Sequence, residues 1–178
     1  MIIISDLDDT LVSSTALNND AYNFALEKFG YPRIETNNRI TRNNLNKISL
    51  QVLNKIIEEK QRYFSLNWMK YRLVLNDALL QKLKRNGKHN CFLWTKASKE
   101  RANAIVKQFD LDKIFQEIIY DDKMNFEKSV EKIKSLTKTN EVLIYENDES
   151  NFQNYKQIKT IDTIKTNIFD VKGYLIRI

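Results

Sequence analysis

The chain has 178 residues, 42% of them hydrophobic, which is enough for a folded domain and excludes wholesale disorder. Only 3 Gly and 1 Pro occur, so a turn-rich all-β fold is disfavoured and helices joined by short loops are favoured. One cysteine excludes an internal disulfide, and no apolar run approaches the ~20 residues of a membrane span, so we expect a cytoplasmic protein without membrane contact.

The net charge of +6 is concentrated in one segment, residues 61–90, which carries seven basic side chains and one acidic one. The same segment contains Tyr63, Phe64, Trp68 and Tyr71. Basic and aromatic side chains together suit a surface for nucleic acid or a phosphorylated substrate. A helix with its aromatic residues packed inward and a solvated basic face is the simpler interpretation.

The first predicted elements are a strand and a long helical zone. Residues 2–5 are apolar and β-branched, which predicts a buried strand. Helical spacing of apolar residues then extends from about 15 to 75, as at Leu45, Ile48 and Val52. Pro32 interrupts this zone and separates an earlier helix near 18–29.

From residue 77 onward, the pattern alternates between strands and helices. Asp77 is predicted to cap a helix over 78–86, and Ser98 a helix to about 108. Further helices are predicted over 126–136 and 150–157, and strands over 90–94, 117–120, 141–145, 159–161 and 174–178. This alternation predicts an α/β fold of Rossmann-like type, with a mainly parallel sheet flanked by helices. The helical zone follows the first strand, so we predict a core domain at 1–12 and 77–178 with a small all-helical cap inserted at 13–76.

The chemistry is expected where the parallel strands end, because their carboxyl ends build the site in open sheets. The residues that follow the predicted strands are Asp6, Asp8, Asp9 and Thr10; Thr95 and Lys96; Asp121, Asp122, Lys123 and Lys128; and Glu146, Asn147, Asp148 and Glu149. Crowded carboxylates usually need a cation, and oxygen ligands without His or Cys suit Mg²⁺. Of two carboxylates two residues apart, one can attack phosphorus while the other transfers a proton.

Four segments resemble the motifs of the haloacid dehalogenase superfamily of phosphohydrolases. The run Asp6-Leu7-Asp8-Asp9-Thr10 after a hydrophobic strand is similar to its first motif, Asp-x-Asp-x-Thr, and the run 91–95, ending in Thr95, is similar to the second. Lys128 falls where the lysine of the third motif is expected, with Lys123 as the substitute. The run 142–145 and the acidic residues behind it match the position of the fourth. The resemblance spans essentially the whole chain outside 13–76.

The resemblance implies a role for each matched residue. Asp6 is expected to be the nucleophile and a Mg²⁺ ligand, and Asp8 the general acid/base with its backbone carbonyl on the metal. Thr95 and Lys128 are expected to bind the phosphoryl group. From the residues alone, a turn hydroxyl at Thr95 and a surface lysine at Lys128 stay open as alternatives.

The fourth motif departs from the family pattern. Asn147 occupies the register of a metal-binding Asp, and a neutral amide binds Mg²⁺ more weakly than a carboxylate. We therefore expect Glu146 and Asp148, together with Asn147, to complete the acidic partner of the metal.

The predicted function is a Mg²⁺-dependent phosphatase that hydrolyses a small phosphorylated substrate, a phosphomonoester, with segment 13–76 as its lid. One alternative is a phosphatase of polynucleotide ends, which the basic segment 61–90 would serve. The other is a weak or inactive protein that keeps the fold for binding or structure, which the neutral Asn147 would explain. No oligomeric state is predicted.

Overall fold

The computed structural model describes residues 1–121, 123, 126–152 and 158–177. The chain divides into two compact units, an α/β unit at Met1–Ser13 and Val74–Ile178 and a helical unit at Ser14–Leu73. These bounds lie close to those expected for a core and an inserted segment. The role of the helical unit as a cap stays a prediction.

The α/β unit is built on one six-stranded sheet. Its strands are β1 (Ile2–Ser5), β2 (Cys91–Thr95), β3 (Glu117–Tyr120), β4 (Glu141–Glu146), β5 (Ile158–Lys165) and β6 (Asp170–Arg177). They lie in the order β3-β2-β1-β4-β6-β5, with β3, β2, β1 and β4 parallel and with β6 and β5 antiparallel to their neighbours. The predicted α/β class with a mainly parallel sheet is confirmed.

The last two strands are longer than predicted and form a hairpin. Their connection is closed by Thr166, whose backbone N–H donates to the Phe169 carbonyl at 2.8 Å and whose Oγ1 accepts from the Phe169 N–H at 2.9 Å. A connection this short joins only antiparallel strands. The predicted helix at 150–157 is represented by a 3₁₀ turn at Glu149–Phe152, and residues 153–157 lie outside the described part of the chain.

Helices cover both faces of the sheet. They are α3 (Asp77–Asn86), α4 (Lys99–Gln108) and α5 (Phe126–Thr137). Cys91 Sγ donates to the Leu83 carbonyl of α3 at 3.4 Å, whereas the next residue, Phe92, packs in a cluster with Ile133 of α5. Because successive strand residues point to opposite faces, α3 and α5 cover opposite sides, which explains the unbroken apolar runs of the central strands.

The sequence predicts caps for two helices of this unit, Ser98 for α4 and Asp77 for α3. Ser98 caps α4 as predicted, since its hydroxyl accepts from the Arg101 N–H at 3.4 Å. The cap of α3 is Asn76 and not the predicted Asp77, because Asn76 Oδ1 accepts from the Leu79 N–H at 3.2 Å. Asp77 instead stands at the first helical position, where its negative charge interacts favourably with the helix dipole.

The helical unit consists of α1 (Thr15–Lys28) and α2 (Leu50–Asn67), with 3₁₀ turns at Arg42–Leu45 and Trp68–Lys70. Its buried core is formed by Tyr22, Ala25, Leu26, Ile40, Leu45 and Ile56. Helix α1 also buries Asn18 and Asn23, which hydrogen-bond the backbone of Ile40 at 2.9 Å and of Ile34 at 2.8 Å. These side-chain amides provide hydrogen-bond partners for backbone groups of the irregular segment between the two helices.

The basic segment 61–90 divides between the two units, since residues 61–73 are helical-unit residues and 74–90 belong to the α/β unit. Phe64 is completely buried, and the Tyr63 ring lies 4.6 Å from that of Phe24. These two aromatic side chains thus take part in packing, as the simpler interpretation of the segment proposed. Within the described residues, no helix is long and apolar enough to cross a membrane.

Gly173 on β6 has no side chain, so a side chain of β4 can cross β6 at this position and reach β5. Tyr145 of β4 and Asp162 of β5 are both register partners of Gly173, and the Tyr145 hydroxyl donates to Asp162 Oδ2 at 2.5 Å. Burial alone would raise the pKa of Asp162, but hydrogen bonds from Tyr145 and Lys82 outweigh it and lower that pKa. A Cβ at position 173 would stand 3.0 Å from both Asp162 Cβ and Tyr145 Cε1.

We expect Gly173→Ala to lower the free energy of unfolding by about 1–3 kcal/mol, because the added methyl group overpacks this crossing. Urea unfolding measures the effect. The cost should be smaller in a Tyr145→Leu background, where the ring is absent. An equal cost in both backgrounds would show that the crossing ring is not the cause.

Candidate active site

The first loop of the site leaves the central strand of the parallel sheet. Strand β1 lies between β2 and β4, where the strand order reverses, and such a switch point opens a crevice at the carboxyl ends. The Asp6 N–H donates to the Tyr145 carbonyl at 3.0 Å, which continues the pairing with β4 by one residue. The loop then turns back, with Asp9 at φ 59° and its N–H bonded to the Val12 carbonyl at 2.7 Å. Asp6 is left only 7% exposed.

Lys123 is the cation at the centre of the site. Its Nζ lies 2.7 Å from Asp6 Oδ1 and 2.6 Å from Glu146 Oε2, and 4.5 Å from the centre of the Trp94 ring. The Lys123 and Glu146 side chains are almost fully buried, at 1% and 2% exposure. The ammonium group therefore offsets two carboxylates at the ends of neighbouring strands.

The backbone around Lys123 is strained and is braced by a carboxylate. Lys123 has φ 58°, a left-handed conformation that is uncommon for a residue with a long side chain. Asp121 Oδ1 accepts from the Lys123 N–H at 2.8 Å, and Asp121 Oδ2 accepts from Ser129 Oγ at 2.9 Å. Asp121 thereby ties the loop to the start of α5 and holds Lys123 in place.

The electrostatics of this buried group are dominated by desolvation. Burial and the Glu146 carboxylate raise the pKa of Asp6 to about 7, although Lys123 acts in the opposite direction. Burial alone would lower the pKa of Lys123, but Asp6 and Glu146 more than offset it and raise that pKa. Lys123 consequently stays charged at neutral pH, and Asp6 is poised between its two protonation states.

Asp8 carries an ion pair of its own. Arg101 Nη2 donates to Asp8 Oδ2 at 2.5 Å, with the Arg101 side chain 3% exposed and that of Asp8 13% exposed. Arg101 lies in the first turn of α4. No role is assigned to Arg101 from the sequence alone, and the one available signal is a cation in a helix turn where the dipole favours an anion.

Asn147 joins the first loop to the end of β4. Its backbone N–H donates to Thr10 Oγ1 at 3.1 Å, and the Thr10 hydroxyl donates to Asn147 Oδ1 at 3.0 Å. Turned by half a rotation, the amide places its nitrogen 3.3 Å from the Asp8 carbonyl oxygen and 3.1 Å from Glu146 Oε1. The end of the amide group thus faces a set of oxygen atoms.

The other predicted site residues have separate surroundings. Thr95 is fully buried, and its Oγ1 accepts from the Ala97 N–H at 3.1 Å, which leaves the hydroxyl able to donate its own hydrogen. Lys128 is exposed on the first turn of α5, so the lysine between Asp6 and Glu146 is Lys123. Asp148 Oδ1 accepts from the Ser150 N–H at 3.0 Å and from its hydroxyl at 2.5 Å.

The oxygen atoms of the first loop and of Asn147 fit a magnesium ion. In the described part of the chain, no three His, Cys, Asp or Glu side chains group as metal ligands. The available set is the Asp6 carboxylate, the Asp8 carbonyl and the Asn147 amide, since both oxygens of Glu146 are already bonded, Oε2 to Lys123 and Oε1 to the N–H groups of Asn147 and Asp148. Mg²⁺ is commonly bound by one or two carboxylates and completed by water and substrate phosphate, so this set suits it.

The sequence profile of the NLI interacting factor-like phosphatase family matches residues 1–167. The chain belongs to this family. Its membership confirms the predicted resemblance to the phosphohydrolases of the haloacid dehalogenase superfamily. No curated protein matches the sequence.

Solved structures with a similar fold support this class at the level of architecture. A haloacid dehalogenase hydrolase of family IA, variant 3, from Entamoeba histolytica is 21% identical with TM-score 0.51; 68% of this chain is covered, and the chain spans 61% of that protein. CbbY from Rhodobacter sphaeroides, in complex with phosphate, is 16% identical with TM-score 0.55 over 79% and 74% of the two chains. A predicted phosphatase from Clostridium acetobutylicum is 18% identical with TM-score 0.54 over 75% and 70%.

We expect Lys123→Met to lower the free energy of unfolding at pH 7 by about 3–5 kcal/mol, because it leaves two buried carboxylates without their cation. Without Lys123, the pKa of Asp6 should rise above its value of about 7. A raised carboxyl pKa contributes stability at low pH that is lost as the pH rises through it. In the natural chain this loss is complete just above pH 7, whereas in the variant it continues to higher pH, so the deficit of the variant should grow from pH 7 to pH 9, as measured by urea unfolding at each pH.

Lys128→Met is the matched control for this substitution, because it removes an exposed lysine from the start of α5. We expect it to change the free energy of unfolding by no more than about 0.5 kcal/mol at any pH. A cost for Lys128→Met that equals that of Lys123→Met would contradict the assignment of the central cation.

Proposed function

We propose that this chain is a Mg²⁺-dependent phosphatase that hydrolyses a phosphomonoester through a covalent phosphoryl group on Asp6. The observation that carries the proposal is the Asp6 carboxylate itself. It is buried at the switch point of the sheet, with a fixed ammonium group 2.7 Å from Oδ1 and a second acid, Asp8, two residues along the same loop.

The reaction proceeds in two steps. First, a carboxylate oxygen of Asp6 bonds to phosphorus, the bond from phosphorus to the ester oxygen breaks, and Asp8 gives its proton to that leaving oxygen. An alcohol is released, and Asp8 is left as a carboxylate. Second, Asp8 takes a proton from a water molecule whose oxygen attacks phosphorus. The bond to Asp6 breaks, phosphate leaves, and both acids return to their initial states.

The proposed ligands of Mg²⁺ are the Asp6 carboxylate, the Asp8 carbonyl and the Asn147 amide. When bound, the ion supplies positive charge to the phosphoryl oxygens. Both oxygens of Glu146 are bonded, Oε2 to Lys123 and Oε1 to backbone N–H groups, and Asp148 is engaged by Ser150, so we assign Asn147 the ligand position in preference to either acid. Glu146 acts by holding Lys123.

The charges of the site favour a divalent cation. Asp6, Asp8 and Glu146 are acidic, and Lys123 and Arg101 are basic, so this group carries one net negative charge when all are ionised and none when Asp8 holds the proton that it is to donate. In neither state does its net charge attract a phosphomonoester dianion. A bound Mg²⁺ would add two positive charges and make the site attractive to the substrate.

Thr95 and Lys123 are the proposed phosphate-binding residues of the chain. Thr95 ends β2 beside β1, and its hydroxyl retains a hydrogen to donate. Lys123 takes the role that the resemblance gave to Lys128, because its ammonium group is the one that contacts Asp6. Such donors offset the charge that accumulates on the phosphoryl oxygens.

The proposed substrate is a small phosphorylated molecule, with the helical unit Ser14–Leu73 acting as a lid that selects it. The alternative of a polynucleotide-end phosphatase rests on the charge of segment 61–90 alone. The alternative of an inactive protein rests on Asn147. The hydrogen bonds between Asn147 and Thr10 favour the enzyme, because they make the neutral residue an integrated part of the nucleophile loop.

We expect Asp6→Asn to abolish Mg²⁺-dependent hydrolysis of 4-nitrophenyl phosphate, since an amide is not a nucleophile toward phosphorus. Release of nitrophenolate measures the activity. Asp9→Asn is the matched control, because it makes the same chemical change three residues along the loop, and Asn tolerates the left-handed conformation at this position. Retained hydrolysis by Asp6→Asn would refute the aspartyl-phosphate mechanism.

We expect Asn147→Asp to bind Mg²⁺ more tightly than the natural chain and Asn147→Ala to bind it more weakly, because the affinity of such sites follows the number of charged ligands. Calorimetric titration with Mg²⁺ measures the dissociation constant, and the Mg²⁺-induced rise in melting temperature gives an independent value. Unchanged affinity in both variants would remove Asn147 from the ligand set.

A further inference from the structure

The proposed reaction uses Asp8 for proton transfer but does not explain the contact of Asp8 with Arg101. Arg101 is 3% exposed, and its Nη2 lies 2.5 Å from Asp8 Oδ2. Both partners have anchored backbones. Asp8 lies in a loop closed by bonds from the Leu11 and Val12 N–H groups to the Leu7 carbonyl, and the Arg101 N–H is bonded to Ser98 Oγ.

The stability of the fold does not explain this arrangement. A cation in the first turn of a helix is opposed by the helix dipole, and Arg101 stands in the first turn of α4. Burial of an ion pair also carries a desolvation cost that its attraction often fails to exceed. Two unfavourable choices at one residue indicate selection for its position beside Asp8.

We infer that Arg101 is a positioning residue that holds the Asp8 carboxyl group in the direction required for proton transfer to the leaving oxygen. This inference rests on the proposed function. In the protonated acid, the hydrogen bond from Arg101 Nη2 to Oδ2 fixes the side-chain torsions of Asp8, so that the group meets the ester oxygen without a search among rotamers. After the proton has been given away, the charge of Arg101 offsets the carboxylate that remains.

The test exploits the different need of different esters for acid catalysis. The nitrophenolate of 4-nitrophenyl phosphate is a stable anion and leaves without a proton. The phenolate of phenyl phosphate depends more strongly on protonation by the acid, and the alkoxide of glycerol phosphate depends on it most strongly. The value of kcat/KM covers the steps up to phosphoryl transfer to Asp6 and therefore reports this need. A residue that only stabilises the fold changes kcat/KM for all three esters by the same factor.

We expect Arg101→Met to lower kcat/KM for glycerol phosphate on the order of 100-fold, which is the lower range for loss of general acid catalysis. Phenyl phosphate should lose less, and 4-nitrophenyl phosphate should change by less than about tenfold. Arg101→Lys keeps the charge and should show the same order with smaller losses, which provides a second variant if the methionine variant folds poorly. Melting temperatures verify folding.

Lys99→Met is the control, because it removes a cation from the same helical turn. Lys99 is exposed and lies 5.6 Å from the centre of the Tyr120 ring, apart from the Asp8 pair. It should leave kcat/KM unchanged for all three esters.

An equal loss for all three esters, or no loss, in folded Arg101 variants would overturn the inference while the proposed function stands, provided that Asp6→Asn is inactive. Absence of Mg²⁺-dependent hydrolysis by the natural chain would overturn both.

Discussion

The contact on which the site depends is the ammonium group of Lys123 between Asp6 and Glu146. Strands β1 and β4 are parallel neighbours in register at Ser5 and Tyr145, so the residues that follow, Asp6 and Glu146, end side by side. The pairing that builds the apolar core therefore also forces two acids together in a buried place. Lys123 makes that placement tolerable, and the rest of the site is arranged around it.

Three local departures from stable backbone and helix chemistry gather at this edge of the sheet. Asp9 and Lys123 have positive φ angles, and Arg101 opposes the dipole of α4. Left-handed residues also occur elsewhere in the α/β unit, at Asp110 and Lys138, but both of these lie in loops away from the site. What distinguishes this edge of the sheet is that its unusual residues adjoin buried charged side chains, which is typical of a functional site.

Much of the fold was predictable because hydrophobic periodicity is a local signal, and β1, β4 and the helices α4 and α5 carry it clearly. The lengths of the two strands in the final hairpin were not predictable, because the exposed faces of β5 and β6 interrupt the apolar pattern. The choice between Lys128 and Lys123 depends on three-dimensional shape. On α5, Ser129, Val130 and Ile133 form the buried face, which leaves Lys128 outside, while a left-handed turn directs Lys123 inward. The spacing of residues along the chain shows neither the outward position of Lys128 nor the inward direction of Lys123.

The amide of Asn147 bears on how the proposed Mg²⁺ site would be loaded. The nitrogen of an amide donates hydrogen bonds and its oxygen binds cations, and a half rotation of the Asn147 side chain exchanges the two atoms toward the same oxygens. A carboxylate in this place would leave negatively charged oxygens facing one another whenever no ion was bound. With Asn147, the nitrogen would donate to those oxygens in the absence of the ion, and the oxygen would face the ion when it was bound. Loading and release would then require the rotation of one side chain and no change in the backbone.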